Sequence, residues 1–324
     1  MSTTKIFPGG DLTTKVFPGG TATAKVFPGG DLTTKVFPGG DAVTQLVPTP
    51  AARGGGDSDA FADAVNDHDS LAAWWSVVGA EAGDLADDDV AMRQVGEDDN
   101  PNLIAALAST GNWRVVDDNI GDTATLRGAL ESIQSDASNF VGIEAGATQS
   151  SALADCLTRS TGVKSGFAFF KNAGANWGSA NYGNIFQFDG DSSSTSADFA
   201  GHVALGFFKG TASLGKIRMS VPQQLDLQGT SFMEVDEWYF IGWRQTDEAE
   251  FTINTAKVGV AWGSRNVTES PPGADASHDG LTLGLAMKNS GPQQWDGWRW
   301  GPIGFFTADI GDDGLEAIFD AIGS

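Results

Sequence analysis

The sequence has little of what several classes of protein need. Cys156 is its one cysteine in 324 residues, so neither an intramolecular disulfide nor a thiolate-bound metal cluster is expected. None of the three histidines has a spacing that favours a catalytic thiol, so Cys156 is expected to be a small buried hydrophobe. Apolar runs such as 103–108 are far shorter than the ~20 residues of a membrane-spanning helix. The N-terminal segment lacks the apolar stretch of a secretion signal. Neither membrane insertion nor the general secretory route is therefore expected.

Basic residues are also scarce. Lysine and arginine number 19 against 42 aspartates and glutamates, a net charge of -23. Nucleic acids and anionic membranes are bound through lysine and arginine clusters, so neither is an expected partner. The excess consists mostly of aspartate, which is typical of a protein working in strong salt, where screening makes such a charge density tolerable. A halophilic source is one explanation, and an ordinary acidic, soluble surface is the other.

The first forty residues contain a repeat with a period of ten. Each unit carries lysine and phenylalanine before Pro-Gly-Gly, at Lys5, Lys15, Lys25, Lys35 and at Phe7, Phe17, Phe27, Phe37. A decayed fifth unit follows at Gln45. The run before each proline is β-prone, and the glycines permit a turn. Residues 1–40 have a net charge of +2, and the remaining chain has -25.

Three interpretations of this arm are open: a flexible tether, an intertwined fibre segment, or a series of docking peptides. Near-identity between units favours docking on equivalent sites of a repetitive assembly, where the units gain by avidity. The lysines and phenylalanines of the repeat are then the assembly-binding residues. Composition divides the chain into an arm at 1–48, a linker at 49–68 and a globular region at 69–324.

The globular region predicts an all-β fold, because many short β-prone runs alternate with Gly, Asn, Asp and Ser. Predicted strands lie at 71–77, 140–144, 166–170, 184–188, 202–208, 216–220, 238–245, 257–262, 281–288 and 298–306. Helical patterns are few: one or two turns at 102–108 and 125–133, and an amphipathic helix at 314–322.

The order of these signals resembles the concanavalin A-like lectin/glucanase superfamily, in particular its laminin-G-like jelly rolls. The resemblance rests on Leu71-Ala-Ala-Trp-Trp, Gly166-Phe-Ala-Phe-Phe, Glu237-Trp-Tyr-Phe-Ile-Gly-Trp-Arg and the ending Trp295-Asp-Gly-Trp-Arg-Trp-Gly-Pro-Ile-Gly-Phe-Phe. It implies a lectin-like jelly-roll sandwich preceded by an extended repeat arm. Residues 90–135 fit this pattern least and suggest an insertion.

Catalytic residues are hard to find in this pattern. Glucanases of the superfamily carry Glu-x-Asp-x-x-Glu on one strand face, and the nearest match here, Glu234-Val-Asp236-Glu237-Trp-Tyr239, has tyrosine at the third position. The chain is therefore expected not to be an enzyme.

Ligand sites are suggested by aspartates and by tryptophans. Calcium is the one cofactor that the Asp-rich loops at 84–89, 97–99 and 189–198 favour, with Asp189 and Asp191 as ligands. Tryptophans of the strands, such as Trp298 and Trp300, are expected in the core. Trp177 and Trp295 are flanked by Asn, Gly and Gln and are the candidates for sugar binding.

An anchoring arm joined to a jelly roll predicts a structural virion protein of a tailed virus, of the head-fibre, turret, decoration or tail-fibre type. Its expected partners are capsid or tail proteins, further copies of itself in a trimer or pentamer, and a host-surface glycan. A cell-surface or secreted glycan-binding adhesin is the alternative, and a polysaccharide-degrading enzyme is the third hypothesis.

Overall fold

A computed structural model divides the chain into two compact units, Met1–Ser58 and Asp59–Ser324, which are described separately below. The residues that the structure describes are 2–6, 12–16, 21–26, 32–36, 41–46, 59–95, 100–107, 112–133, 139–143, 150–157, 164–174, 182–189, 203–209, 214–221, 224–247, 250–262, 267–269, 280–283 and 297–323.

The repeat units of the arm form parallel β-structure. Each unit contributes one strand: β1 Ser2–Ile6, β2 Leu12–Val16, β3 Thr21–Val26, β4 Leu32–Val36 and β5 Asp41–Leu46. Strands of alternate units pair, in the orders β1-β3-β5 and β2-β4. Equivalent positions of the repeat are opposite each other, as in Lys5 with Lys25 and Lys15 with Lys35. One period of each ladder therefore takes twenty residues of chain.

The second unit begins with helix α1, Ala60–Asn66, and is otherwise dominated by antiparallel strands. These strands are β6 Leu71–Ser76, β7 Gly83–Asp84, β8 Val90–Val95, β9 Leu103–Leu107, β10 Trp113–Val116, β11 Ala129–Ser132, β12 Asn139–Gly142, β13 Lys164–Asn172, β14 Tyr182–Asp189, β15 Val203–Lys209, β16 Leu214–Val221, β17 Gln224–Glu234, β18 Trp238–Asp247, β19 Glu250–Lys257, β20 Val267–Glu269, β21 Gly280–Leu283 and β22 Trp298–Phe306. Two further helices are α2, Ser151–Leu157, and α3, Gly311–Asp320.

The strand pairings define two sheets. The helix-covered sheet has the order β7-β10-β11-β22-β13-β18-β19-β20, and β6 pairs with the C-terminal half of β22. The opposing sheet has the order β8-β9-β12-β21-β14-β15-β16-β17. Strand β8 also pairs with β6, so it joins the two sheets at one edge. This is the all-β sandwich that the sequence predicts.

The inner core lies between the two sheets. Rings from opposite sheets meet there: Phe186 lies 4.8 Å from Trp243 between centroids, and the Trp300 indole N–H donates to the Ile185 carbonyl at 2.9 Å. Its large members are Trp75, Trp113, Phe170, Phe186, Tyr239, Trp243, Trp298, Trp300 and Phe305. The tryptophans of the strands are therefore structural, as the alternating pattern predicts.

The outer core lies on the other face of the helix-covered sheet. Helices α1 and α3 cover it, and its members include Phe61, Trp74, Phe167, Phe169, Trp238, Phe240, Phe306, Leu315, Ile318 and Phe319. Because both faces of this sheet are buried here, Ser165 to Phe170 of β13 are continuously buried instead of alternating. The predicted linker at 49–68 includes helix α1, whose Phe61 is fully buried.

Two polar anchors hold the helices against the sheet. At the start of α1, the buried Asp59 carboxylate accepts from the backbone N–H of Ala62 at 2.9 Å and of Thr125 at 3.0 Å. At the start of α3, the guanidinium of Arg244 donates twice to Asp309, at 2.5 and 2.6 Å. Burial opposes ionisation of Asp309, yet the Arg244 hydrogen bonds outweigh it and hold the pKa of Asp309 below its usual value.

Several predicted elements differ from the structure. The segment 102–108 is strand β9 instead of a helix, because Leu103, Ala105 and Leu107 alternate into the inner core and both strand edges are paired. The segment 125–133 is a 3₁₀ turn followed by β11. The prediction of a strand at 257–262 is wrong, since β19 ends at Lys257 and Gly259 has a φ of 80°. The region 90–135, suggested above as an insertion, contributes strands β8 to β11 to the two sheets. The helix predicted at 314–322 is confirmed as α3.

Candidate functional site

The predicted assembly residues lie only in part within the described residues. Lys5, Lys15, Lys25 and Lys35 are in strands β1 to β4, where the register sets Lys5 against Lys25 and Lys15 against Lys35. Lys25 is also opposite Gln45 of the decayed unit. The four repeat phenylalanines, Phe7, Phe17, Phe27 and Phe37, lie outside the described residues. Their role in docking stays a prediction.

The predicted sugar and calcium residues are almost all outside the described part of the chain. Trp177, Trp295 and Asp191 lie outside it, whereas Asp189 is the last residue of β14 and is opposite Gly280 of β21. Within the described residues, no group of three His, Cys, Asp or Glu side chains is placed to hold a metal ion. Calcium binding at Asp189 and Asp191 stays a prediction.

In the loop 84–89, three aspartates form hydrogen bonds with main-chain groups. Asp87 accepts from the N–H of Leu107 at 2.8 Å, and Asp89 accepts from the N–H of Ala86 at 2.7 Å. Asp88 has a φ of 67°, and its own N–H donates to the Ala105 carbonyl at 2.8 Å. These contacts fix the turn before β8 through hydrogen bonds to main-chain groups.

The glucanase-like segment is divided by a turn. Glu234 ends β17, Asp236 has a φ of 62°, and Trp238 begins β18. Carboxylates on one continuous strand would share a face, but here the turn separates them. The Lys257 ammonium lies 2.9 Å from both Glu234 and Glu237. These two carboxylates therefore form an exposed ion-pair cluster, and their hydrogen bonds raise the pKa of Lys257.

Tyr239 connects the same turn to the core. Its hydroxyl accepts from the backbone N–H of Glu234 at 2.9 Å, and its ring belongs to the inner core. Burial raises the pKa of Tyr239, so the phenol is neutral at ordinary pH. The tyrosine at the third position of the glucanase-like pattern thus fixes the turn between β17 and β18, which lie in opposite sheets.

The most concentrated set of polar side chains in the described part of the sandwich is a row that crosses the helix-covered sheet. Cross-strand register aligns Asp84 of β7, Arg114 of β10, Glu131 of β11, Arg299 of β22 and Lys171 of β13. We call these five residues, with Asp118 and Asp236, the charged row. Arg299 lies between Trp298 and Trp300, which face the inner core, so alternation puts the row on the outer face.

Glu131 is the centre of the charged row. Its side chain is 3% exposed and accepts from Arg114 Nε at 2.6 Å and from Arg299 Nη2 at 3.2 Å. The hydrogen bond to Glu131 is the main reason that the pKa of Arg114 is raised. A buried carboxylate is tolerated here because two guanidinium groups supply its hydrogen bonds.

Asp118 connects the other half of the row. It accepts from Arg299 Nη1, from the Lys171 ammonium at 3.1 Å and from the Trp238 indole N–H at 3.2 Å. Burial opposes its ionisation, but the Arg299 and Lys171 hydrogen bonds outweigh that effect and lower the pKa of Asp118. Burial likewise opposes the charge of Arg299, yet Asp118 and Glu131 raise the pKa of Arg299.

The charged row is open to solvent at Arg114 and at Asp236. The Arg114 side chain is 41% exposed and that of Asp236 is 75% exposed, whereas Lys171, between them, is 11% exposed. Lys171 also lies 5.9 Å from the centre of the Trp238 ring and 3.0 Å from Asp236. The row presents hydrogen-bond donors and acceptors side by side on a rigid strand surface beside the outer core.

Sequence reasoning does not identify the charged row. Its members are far apart in the chain, and only the pairing of β10, β11, β22 and β13 brings them together. One local signal exists: in Trp298-Arg299-Trp300 an arginine alternates with two core tryptophans. This marks Arg299 as facing away from the inner core but does not reveal its partners.

No helix in the described residues is long and apolar enough to cross a membrane.

Comparison with known proteins gives similarity of architecture only. No protein-family model matches the sequence, and no curated protein matches it. Among solved structures, domain 4 of AbnA, a GH43 extracellular arabinanase from Geobacillus stearothermophilus in complex with arabinotriose, is 8% identical with a TM-score of 0.48, covering 77% of this chain and 98% of that one. Trypanosoma rangeli sialidase is 11% identical with a TM-score of 0.47, covering 80% and 34%. The receptor-binding domain of botulinum neurotoxin type G is 10% identical with a TM-score of 0.47, covering 78% and 51%.

These similarities bear on the fold alone, and the chain spans about a third of the sialidase and half of the neurotoxin domain. They also correct one expectation. The prediction that excluded catalysis is wrong, because an arabinanase domain and sialidases are among the similar structures. The fold gives no ground for excluding catalysis.

Proposed function

We propose that this chain is a structural appendage protein of a virus particle, in which the repeat arm attaches the β-sandwich to the capsid or tail. The observation that carries the proposal is the register of the arm, in which equivalent positions of the decapeptide are paired at intervals of twenty residues. A segment built from equivalent steps fits a partner that also presents equivalent sites.

The charge distribution supports the same division of roles. The repeat region has a net charge of +2, and the remainder has -25. A strongly acidic sandwich repels its own copies at low salt and stays soluble when displayed at high density. The arm is the part of the chain with an electrostatic preference for an acidic surface.

Mass spectrometry of purified particles, with a copy number per particle, tests this proposal. A fixed stoichiometric copy number is the expected result, and its value distinguishes a vertex turret from a tail fibre or a general decoration protein. Absence from particles, with the protein found on the cell surface, would contradict the proposal and favour a glycan-binding adhesin.

The charged row favours a second role for the sandwich, binding a glycan on the host surface. Guanidinium and carboxylate groups lie side by side there, so one hydroxyl-rich ligand can both donate and accept hydrogen bonds along the row. Arg114 and Asp236 are exposed members of the row, and the buried Glu131 holds Arg114 in place.

Binding to an array of neutral and acidic oligosaccharides tests this role. Arg114→Ala is expected to reduce binding at least tenfold, while Arg93→Ala, which removes an exposed arginine of β8 outside the row, leaves it unchanged. Equal binding by the two variants, or none by the unmodified chain, would contradict a glycan site at the charged row.

A further inference from the structure

Within the described residues, each strand of the arm pairs with a strand two repeat units away. In both ladders the strands are parallel and the partners are twenty residues apart, as in Thr4 with Ala24, Ala24 with Thr44, and Thr14 with Thr34. Since units 1 to 4 share nearly the same sequence, β1 with β3 and β2 with β4 pair near-copies of one strand, and β3 also accepts the decayed fifth unit, β5.

Within the described part of the arm, the end strands of each ladder pair on one side. Among the described residues of the arm, β1 and β5 pair with β3 alone, and β2 pairs only with β4. The other edge of such a strand presents backbone N–H and C=O groups that can template a further strand. The free edges are thus complementary to the same repeat sequence in another molecule.

The size of the ladders gives a reason for such an addition. One has three strands of five or six residues, and the other has two strands of five. A two-stranded ladder is marginally stable at best, and stacked repeats need about three or more units to bury a continuous core. Strands from a second molecule would bring the three-stranded ladder well above that size.

We propose that the arm is a self-association surface, on which a second copy of this chain continues the three-stranded ladder in the same parallel register. The β1 edge of one copy then lies beside the β5 edge of the other. The interface is head-to-tail, so it can build assemblies larger than a dimer. The inference goes beyond the proposed attachment to a particle and does not depend on which assembly the arm enters.

Cysteine cross-linking between copies tests the register directly. Neighbouring strands are ~4.8 Å apart, and paired Cβ atoms lie ~4.5–5.5 Å apart, within reach of a disulfide after small adjustment. The internal ladder relates Thr4 to Thr44 through Ala24, so the intermolecular contact should set Thr4 of one copy beside Thr44 of the other. An equimolar mixture of full-length Thr4→Cys and Thr44→Cys chains is therefore oxidised, and the covalent dimer is quantified.

Val260→Cys is the matched control, because Val260 is 55% exposed on the sandwich and reports random collision. The native Cys156 is buried. The Thr4→Cys and Thr44→Cys mixture is expected to cross-link at least tenfold faster than the Val260→Cys chain. A rate no higher than that control would overturn self-association. Faster cross-linking of Thr4→Cys with itself than in the mixture would overturn the parallel register.

Sedimentation of unmodified chains separates this inference from the proposed function. The full chain is expected to form species larger than its 33.7 kDa mass, and a chain lacking residues 1–46 is expected to be monomeric. A monomeric full chain that still enters particles would overturn self-association and leave attachment intact. A self-associating chain that is absent from particles would do the reverse.

Discussion

Replacing Glu131 by glutamine removes the charge at the centre of the charged row without changing its shape. The side chain is 3% exposed and accepts from Arg114 and Arg299, so the substitution leaves two guanidinium groups facing an amide that can accept from one side only. The question is how much of the sandwich's stability depends on this carboxylate.

The expected loss of stability follows from the burial of Glu131 and the exposure of its two arginine partners. Breaking a fully buried ion pair costs ~3–5 kcal/mol. The partners here are 41% and 22% exposed, so both guanidinium groups regain water, and Arg299 keeps Asp118. Solvent screening therefore reduces the loss, and hydrogen bonds to charged groups are worth ~1.5–3 kcal/mol. We expect Glu131→Gln to lower the free energy of unfolding by about 2 kcal/mol, or about 5 °C in Tm for a unit of this size.

Tryptophan fluorescence during urea unfolding is a suitable assay, because all ten tryptophans lie in the second unit, between Trp74 and Trp300, and the arm has none. Glu237→Gln is the control: it removes an exposed carboxylate whose partner Lys257 keeps Glu234, so no measurable change is expected. If the two variants unfold at the same urea concentration as the unmodified chain, the charged row does not stabilise the sheet and the reasoning is refuted.

Three further substitutions probe other parts of the sandwich. The pKa of Asp118 is lowered on folding, so its contribution to stability is present above an unfolded-state pKa of ~4 and is lost as pH falls through the lower folded value. Asp118→Asn should therefore reduce the pH dependence of the urea midpoint below about pH 4, and a pH dependence equal to that of the unmodified chain would contradict this. Gly166→Ala would put a Cβ 2.1 Å from Trp243 Cζ2 and 2.6 Å from the Gly304 carbonyl oxygen. The free energy of unfolding is therefore expected to fall by about 2–3 kcal/mol in thermal melts, and an unchanged Tm would disprove the close packing. Asp59→Ala should cost about 2 kcal/mol because it removes the cap of α1 and the acceptor for Thr125. Asp59→Asn, whose single amide oxygen can still cap Ala62, should cost less, and equal losses would argue against a capping role.

The sequence predicts the strands that have strong local signals. Strands β6 and β18 are found at the predicted positions because Leu71-Ala-Ala-Trp-Trp and Trp238-Tyr-Phe-Ile-Gly-Trp are rich in aromatic residues. Helix α3 is found because Leu315, Ile318 and Phe319 repeat with helical spacing. These features depend on neighbours within a few residues, which the sequence displays directly.

Other features depend on partners that are distant in the chain. The run Leu103-Ile-Ala-Ala-Leu favours a helix by composition, and its pairing with β8 and β12 makes it a strand. Glu131 and Arg299 are 168 residues apart, so their contact exists only after β11 and β22 pair. The twenty-residue step of the arm likewise follows from pairing alternate units, whereas the sequence period is ten.

The role of the arm is tested most directly by competition during assembly. The full chain and a chain lacking residues 1–40 are expressed together in infected cells, and both are quantified in purified particles by mass spectrometry. The account predicts that the full chain is incorporated at its normal copy number and that the truncated chain is depleted at least tenfold relative to its cellular amount. Incorporation of both chains in proportion to their cellular amounts would contradict attachment through the repeats.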